Sequence, residues 1–217
     1  MKILSFDNIG FVEMMDHLGD DLTVVNSARV SFGKYVNSIS EKDEKLIKYL
    51  YNHNHWTPFA HVIFQFRIKM PFFVARQWFR HQIGLTRNEI SRRYVSDQPQ
   101  FFEPDYFRVK TEDKKQGSLD IKHEKSSYYI DRLKAHYSSA LDLYDDMIAN
   151  NIPAEQARMV LPMGAYTEFI ETGSLAAYMR IYKLRVSLDA QKETSFYIKA
   201  IFSFMREFCP VSISLIE

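Results

Sequence analysis

The sequence predicts a single domain over residues 1–217, of the α/β class and more narrowly α+β. An antiparallel or mixed sheet and a mostly helical C-terminal half are expected. A strand pattern between Val62 and Lys69, helical spacing of apolar residues from Tyr129 onward, and more helix-like segments after it support this class. The chain has 217 residues, 46% hydrophobic and 15% aromatic, which is enough to bury a sizeable core.

The first predicted elements are a helix and a strand. Ser40 precedes Asp43 at the spacing of an N-terminal capping box, and apolar residues recur at helical spacing until about His53. Between residues 62 and 69 apolar and polar side chains alternate, which indicates a strand with one buried face.

Pro71 is expected to close this strand and to open a helix. Proline suits the first helical turn, so the helix is predicted over residues 72–80. The arginine-rich segment that follows, residues 80–94, therefore comes directly after a strand and a helix.

Residues 95–127 are rich in Pro and charged side chains, and we interpret them as a surface loop, with a substrate lid as the alternative. A long helix should begin near Tyr129 and stop at Asn150–Pro153. Further helices are predicted at 154–160, about 174–185 and about 189–208.

The charge balance and the cysteine content limit the classes of function that the chain can have. Lys plus Arg (28) nearly equals Asp plus Glu (27), so the chain as a whole does not resemble a polyanion binder. With only Cys209 available, the chain has no disulfide framework, and a thiolate zinc site would be hard to assemble. The N-terminus lacks a signal-peptide pattern, and no segment approaches the roughly 20 apolar residues of a membrane span. A soluble cytoplasmic protein without a membrane contact is expected.

The arginine-rich segment predicts an anion site. An arginine presents a planar fork of donors that matches phosphate or carboxylate oxygens two at a time. Aromatic and aliphatic residues, such as Trp78 and Ile90, are interleaved with these arginines. A partly buried binding wall is therefore favoured over a solvated basic face.

Arg158 and Arg185 each stand within an apolar run. A buried arginine without an anionic partner is costly, so each needs a carboxylate of the protein or a ligand phosphate or carbonyl. Both alternatives remain open from the residues alone. His53, His55 and His61 lie close together, but their spacing matches no standard ligand pattern, and no metal is predicted.

Several segments, in order along most of the chain, resemble the signature of the flavin-dependent thymidylate synthases. They are Ala28–Phe32, His55 with Thr57–Phe59, Pro71–His81, Asn88–Ser91 with Arg93–Tyr94, Ala157–Arg158 with Leu161–Pro162, and Leu184–Arg185.

The resemblance implies a flavin-dependent thymidylate synthase-like fold and a homotetramer that binds FAD at subunit interfaces. It implies methylation of dUMP to dTMP, with 5,10-methylenetetrahydrofolate as carbon donor and NADPH as reductant. Such chemistry requires no cysteine nucleophile, so the classical thymidylate synthase is disfavoured.

The resemblance also assigns roles by position. Arg185 resembles the catalytic arginine that polarises the uracil ring. Residues that match dUMP contacts are Gln77, Arg80, Glu89, Ser91, Arg93, Arg158 and Arg185. Residues expected to contact the flavin are His55, Thr57, Arg80, His81, Gln82, Arg87, Glu89 and Arg180.

The chain departs from the family pattern mainly on the flavin side. Gln82 replaces the second Arg of an Arg-His-Arg motif, and one residue is gained before Ser91. Arg87 is hypothesised to restore the lost charge by reaching the flavin pyrophosphate. Other departures are Ala60 in place of Glu, Ser174 and Ala176 in place of Asn and Arg, and Asp189 in place of His.

Two alternative functions follow from these departures and from the basic segment. One is a flavin-dependent methylase or hydroxymethylase of another pyrimidine nucleotide. The other is a non-enzymatic nucleic-acid binder, which the near-neutral net charge and the aromatic context disfavour.

Overall fold

The central strand of the structure carries the predicted alternation. In this computed structural model, which describes residues 2–95, 98–111, 117–187 and 190–216, β3 spans Ile63–Pro71. Phe64, Phe66 and Ile68 have no exposed surface, whereas Arg67 between them is exposed. The predicted strand and its buried face are confirmed.

The described strands form a five-stranded antiparallel sheet in the order β1-β2-β3-β7-β4 and a separate antiparallel pair, β5-β6. Their bounds are β1 (Lys2–Leu4), β2 (Phe11–Leu18), β3 (Ile63–Pro71), β4 (Leu85–Glu89), β5 (Arg108–Lys110), β6 (Ser118–Lys122) and β7 (Tyr166–Ser174). The expected sheet is thus antiparallel and not mixed. Strand β7 lies inside this sheet, between β3 and β4, although the sequence indicated only helices in that half of the chain.

The helices largely follow the prediction. Their bounds are α1 (Asp21–Arg29), α2 (Glu41–Asn52), α3 (Phe72–Trp78), α4 (Ser126–Ala149), α5 (Ala154–Ala157), α6 (Leu175–Arg185), α7 (Lys192–Phe208) and α8 (Pro210–Ser214). Short 3-10 turns lie at Val30–Phe32, Pro58–His61 and Arg158–Val160.

Two predicted helix boundaries can be compared with the described bounds. The capping box of α2 forms between Ser40 and Asp43, as predicted. Helix α3 ends two residues earlier than expected, because the chain turns at His81 toward Gly84, whose positive φ of 77° suits glycine.

One hydrophobic core joins the sheet to helices α3, α6 and α7. Trp78 of α3, Tyr178 of α6 and Phe202 of α7 are fully buried against the same cluster as Phe66. Burial of aromatic side chains of this size contributes a large part of the folding free energy. The core therefore fixes the ends of α3 and α6, from which the candidate site residues project.

The predicted surface loop at 95–127 contains regular structure. Strands β5 and β6 form a hairpin, and α4 begins within the segment, at Ser126. Asp189, one of the departures from the family pattern, and parts of this loop lie outside the described residues. Within the described part of the chain, no helix is long and apolar enough to cross a membrane.

Candidate active site

A cavity of about 360 Å³ brings together four of the predicted nucleotide contacts, Glu89, Ser91, Arg93 and Arg158. Phe72, at the start of α3, also lines it. The residues come from β4, the turn after it and the segment after α5, so the fold, and not sequence proximity, assembles this group.

The end of β4 is held in place by the neighbouring strand. The Ile90 amide donates to the Glu168 carbonyl at 2.8 Å, and the Thr167 hydroxyl donates to Glu89 Oε1 at 2.6 Å. Thr167 is buried, so its hydroxyl fixes the orientation of a carboxylate at the cavity edge. Thr167 is a site residue that the sequence analysis missed.

Two of the three arginines that line this cavity, Arg93 and Arg158, have no carboxylate partner among the described residues. Arg93 Nε donates to the Ser91 hydroxyl at 3.1 Å, and Arg158 Nε donates to the Glu155 carbonyl at 3.2 Å. The terminal amino groups of both arginines can then bind an external anion. For Arg158, the alternative of a structural acidic partner is not realised in the described residues. The cavity, which we call the anion cavity, suits a phosphate group.

A second group of predicted residues lies at the other end of α3. Arg185 Nε donates to His81 Nε2 at 3.0 Å, and the imidazole is nearly fully buried. Burial first, and then the charges of Arg185, Arg180 and Arg87, lower the pKa of His81 to about 4. His81 is therefore neutral at physiological pH, with its acceptor nitrogen toward Arg185.

Gln77 and Arg80 belong to this second group. Burial first, and then the nearby Arg80 charge, lower the pKa of Arg185, so the two guanidinium groups are close enough to repel. Gln77 Oε1 accepts a hydrogen bond from the Thr194 hydroxyl of α7 at 2.8 Å. Repelling cations and an oriented carboxamide make this a further candidate anion or carbonyl site.

A second cavity, of about 370 Å³, contains two of the predicted flavin residues, His55 and Arg180. Its walls are mostly apolar, with Trp56 and Phe59 among them, and Lys183 contributes a second cation. We call it the aromatic cavity. Ser174 and Ala176, two of the departures from the family pattern, also line it.

Two more of the predicted flavin residues, Thr57 and Gln82, are sequence neighbours of residues that line the aromatic cavity. Thr57 is exposed and directly follows Trp56, and Gln82 is exposed beside Ile83, which lines the cavity. Arg180 donates from Nη2 to the Ile83 carbonyl at 2.6 Å. The lengthened segment between Gln82 and Ser91 is thereby anchored to α6.

Arg87 does not lie where the hypothesis of a contact with the flavin pyrophosphate would place it. In β4 it lies opposite Glu171 of β7, and the two side chains form an ion pair in which Glu171 has no exposed surface. Trp78 Nε1 also donates to this carboxylate, at 3.1 Å. The strand alternation points Arg87 inward, so contact with a flavin pyrophosphate stays a prediction that this geometry disfavours.

Lys183 and Thr194 were also missed. Lys183 follows Arg180 by three residues on α6, a spacing that places two side chains on one helix face and was visible in the sequence. No sequence signal linked Thr194 to Gln77.

No grouping of His, Cys, Asp and Glu that could hold a metal occurs in the described ranges. The His53 side chain forms a hydrogen bond with the Tyr49 carbonyl at 2.8 Å.

Comparison with known proteins gives the family. Residues 13–211 match the family model of the thymidylate synthase complementing proteins, Thy1. The flavin-dependent thymidylate synthase of Thermotoga neapolitana is 39% identical over 97% of this chain and 91% of its own length. The enzyme of the same name from Thermosipho africanus is 38% identical over 93% of this chain and 88% of its own length.

Solved structures agree with the fold. The UMP/dUMP methylase PolB from Streptomyces cacaoi, bound with 5-Br dUMP, superposes with a TM-score of 0.84 at 25% identity and covers 94% of this chain and 93% of its own. Its structure with 5-Br UMP gives a TM-score of 0.83 at 26% identity, with 94% of this chain and 92% of its own covered. From these matches, the chain is an enzyme of the flavin-dependent thymidylate synthase family.

Proposed function

We propose that this enzyme methylates dUMP at C5 to give dTMP, with 5,10-methylenetetrahydrofolate as carbon donor and FAD reduced by NADPH. The observation that carries the proposal is the anion cavity, in which Arg93 and Arg158 lack carboxylate partners among the described residues. A 5′-phosphate carries nearly two negative charges and matches two guanidinium groups and the Ser91 hydroxyl.

Arg185 is proposed to act on the base. A negative charge spread over N3 and O4 of uracil makes C5 nucleophilic, and a fixed guanidinium stabilises that charge without reorganisation. Because Nε of Arg185 is bonded to His81, its two terminal amino groups are the ones available to the ring. The neutral His81 thus orients the guanidinium without adding a positive charge.

The aromatic cavity is the proposed flavin site. Its apolar walls suit a planar ring system, and Arg180 and Lys183 suit the phosphates of the cofactor. Bound FAD in its reduced form supplies the hydride that completes the methyl group. The roles of the protein residues are to orient the rings and exclude water.

A homotetramer with sites at subunit interfaces is part of the proposal. Large apolar side chains beside the cavities are exposed to solvent, with Ile83, Tyr94 and Met159 between 75% and 79% accessible. Such exposure suits surfaces that a ligand or a second copy covers. Light scattering of the purified protein, with and without FAD, tests this point.

The similarity to PolB, named a UMP/dUMP methylase, favours one alternative, the methylation of another pyrimidine nucleotide. Purified protein should be titrated with dUMP, UMP and dCMP, and the mass of each product measured after addition of the folate and NADPH. Flavin absorbance together with a mass gain on dUMP would support the main proposal. A mass gain on UMP or dCMP alone would replace it with the alternative.

A further inference from the structure

The first turn of α7 connects four separate parts of the chain. Lys192 pairs with Asp120 of β6 at 2.9 Å, and Glu193 pairs with Arg108 of β5 through two bonds of 2.8 and 3.0 Å. The next two side chains bond to site segments, Thr194 to Gln77 and Ser195 to the carbonyl of Arg185. Consecutive residues thus join the β5–β6 hairpin to two predicted substrate contacts.

The hydrogen bond from Thr194 determines how the Gln77 carboxamide is oriented. Thr194 has no exposed surface, and its hydroxyl donates to Gln77 Oε1 at 2.8 Å. A carboxamide has its acceptor oxygen and its donor nitrogen on opposite sides. With Oε1 bonded to Thr194, Nε2 is turned away from α7, and no protein acceptor for it occurs among the described hydrogen bonds.

An oriented donor without a protein partner is available for a ligand. Gln77 is only half-buried, and it lies on the same short helix as Phe72, which lines the anion cavity. The backbone carbonyl of Arg185 is fixed by the neighbouring Ser195 at 2.5 Å. The same helical turn therefore contacts both the Gln77 amide and the backbone of Arg185, the proposed catalytic residue.

The hairpin stabilises this turn. The N-terminal turn of a helix tends to fray, and Gln191 at the N-cap of α7 makes no side-chain capping bond. The Arg108–Glu193 ion pair is mostly shielded from solvent, with side-chain exposures of 19% and 13%. This ion pair connects the first turn of α7 to the β5–β6 hairpin and so compensates for the absent side-chain cap.

We propose that Thr194 is a positioning residue, which fixes the Gln77 carboxamide so that its Nε2 donates to an acceptor oxygen of the bound pyrimidine nucleotide. This role rests on the proposed function. Replacing Thr194 with valine keeps the shape but removes the hydroxyl, so the carboxamide can rotate and present either end.

A double-mutant cycle on dUMP affinity tests the proposal by calorimetry. Thr194→Val should weaken dUMP binding about 3- to 10-fold, the range of one neutral hydrogen bond, and Thr194→Ser should retain wild-type affinity. In a Gln77→Ala background, Thr194→Val should have no further effect. A merely structural role would weaken binding equally in both backgrounds, and that result would overturn the proposal.

Two further outcomes separate this proposal from the proposed function. If wild-type protein does not bind dUMP, the proposed function fails and the role of Thr194 fails with it. If wild type binds and Thr194→Val binds equally well, only the positioning role is overturned. If Thr194→Val does not fold, Gln77→Glu is measured instead. This variant keeps an oxygen that accepts from Thr194 but lacks the Nε2 donor. Unchanged dUMP affinity in this variant would overturn the proposal.

Discussion

Arg185 and His81 are joined by a hydrogen bond of 3.0 Å from the guanidinium Nε to the imidazole Nε2. Two side chains that are often both cationic can share this bond only when the imidazole is neutral. Burial and three nearby arginines keep it neutral by lowering its pKa to about 4. The neutral imidazole orients Arg185 by accepting from one nitrogen and leaves the rest of the guanidinium for a ligand.

The depressed pKa of His81 predicts a pH dependence of stability. Between its ordinary value of 6.5 and about 4, the unfolded chain binds a proton at this histidine and the folded chain does not. The stabilisation is therefore complete above pH 6.5 and is lost as the pH falls toward 4.

The free energy of unfolding, measured in urea, should fall less between pH 7 and pH 5 for His81→Gln than for wild type. His136→Gln, at an exposed position, is the control and should behave as wild type; equal losses in all three proteins would contradict the prediction.

Arg185→Lys should lower kcat for dUMP methylation by about 100-fold or more, the usual loss for one preorganised donor to developing charge. Lysine keeps the positive charge but lacks both the planar pair of amino groups and the Nε bond to His81. Steady-state kinetics should show the loss mainly in kcat, with a smaller change in KM. Arg132→Lys, on the exposed surface of α4, is the matched control. A loss confined to KM would indicate that Arg185 only binds the nucleotide.

Arg158→Ala should weaken dUMP binding by roughly 10- to 100-fold, because a charge-assisted hydrogen bond to phosphate is worth about 1.5–3 kcal/mol. Deoxyuridine has no phosphate, so its affinity should be the same for the variant and wild type. Calorimetric titration with both ligands checks the difference. If affinity for deoxyuridine fell as much as that for dUMP, the anion cavity would not be the phosphate site.

The ion pair of Arg87 and Glu171 predicts a large effect on stability. Removing one partner of a buried pair leaves the other charge unpaired and typically costs about 3–5 kcal/mol. Arg87→Ala should therefore lower the free energy of unfolding by about this amount. Burial raises the pKa of Glu171, whereas the charge of Arg87 and the hydrogen bonds from Arg87 and Trp78 favour the charged carboxylate.

The Arg87 hypothesis about the flavin is tested on the same variant. Replacing both members of the pair, Arg87→Met with Glu171→Leu, restores an uncharged interior and should recover most of the stability. If FAD affinity of this double variant equals that of wild type, Arg87 has no role in binding the flavin pyrophosphate.

Local patterns explain which parts of the fold were predictable. Helix α2 and strand β3 have caps and periodicities that a short window of sequence displays, and both were found at nearly their observed bounds. Strand β7 was missed because its buried face includes Thr167, Glu171 and Gly173 while Ile170 lies on the exposed face, so its residue types do not alternate as its burial does. Without β7, the inward orientation of Arg87 could not be predicted.

The site was predictable in its residue types but not in its pairings. Ser91, Arg93 and Arg158 were identified by resemblance, and the fold brings them to one cavity. The bonds of Thr194 to Gln77 and of Arg185 to His81 each join residues about a hundred positions apart. Such contacts depend on how α6 and α7 pack on the sheet, which sequence periodicity does not specify.

Lys183→Ala should weaken the binding of FAD but not that of riboflavin. Lys183 lines the aromatic cavity, and its ammonium group lies 4.4 Å from the centre of the Tyr51 ring, so its position is partly fixed. A cation at the edge of an apolar cavity attracts the phosphates of FAD, which riboflavin lacks, while both ligands share the ring system. Quenching of flavin fluorescence gives both affinities, and Lys199→Ala, at an exposed position of α7, is the control. Because Lys183 is exposed, water and salt screen its charge. The loss of FAD affinity should therefore be about 2- to 10-fold and should become smaller at high salt. An equal loss for both ligands would mean that Lys183 supports the cavity wall and does not bind phosphate.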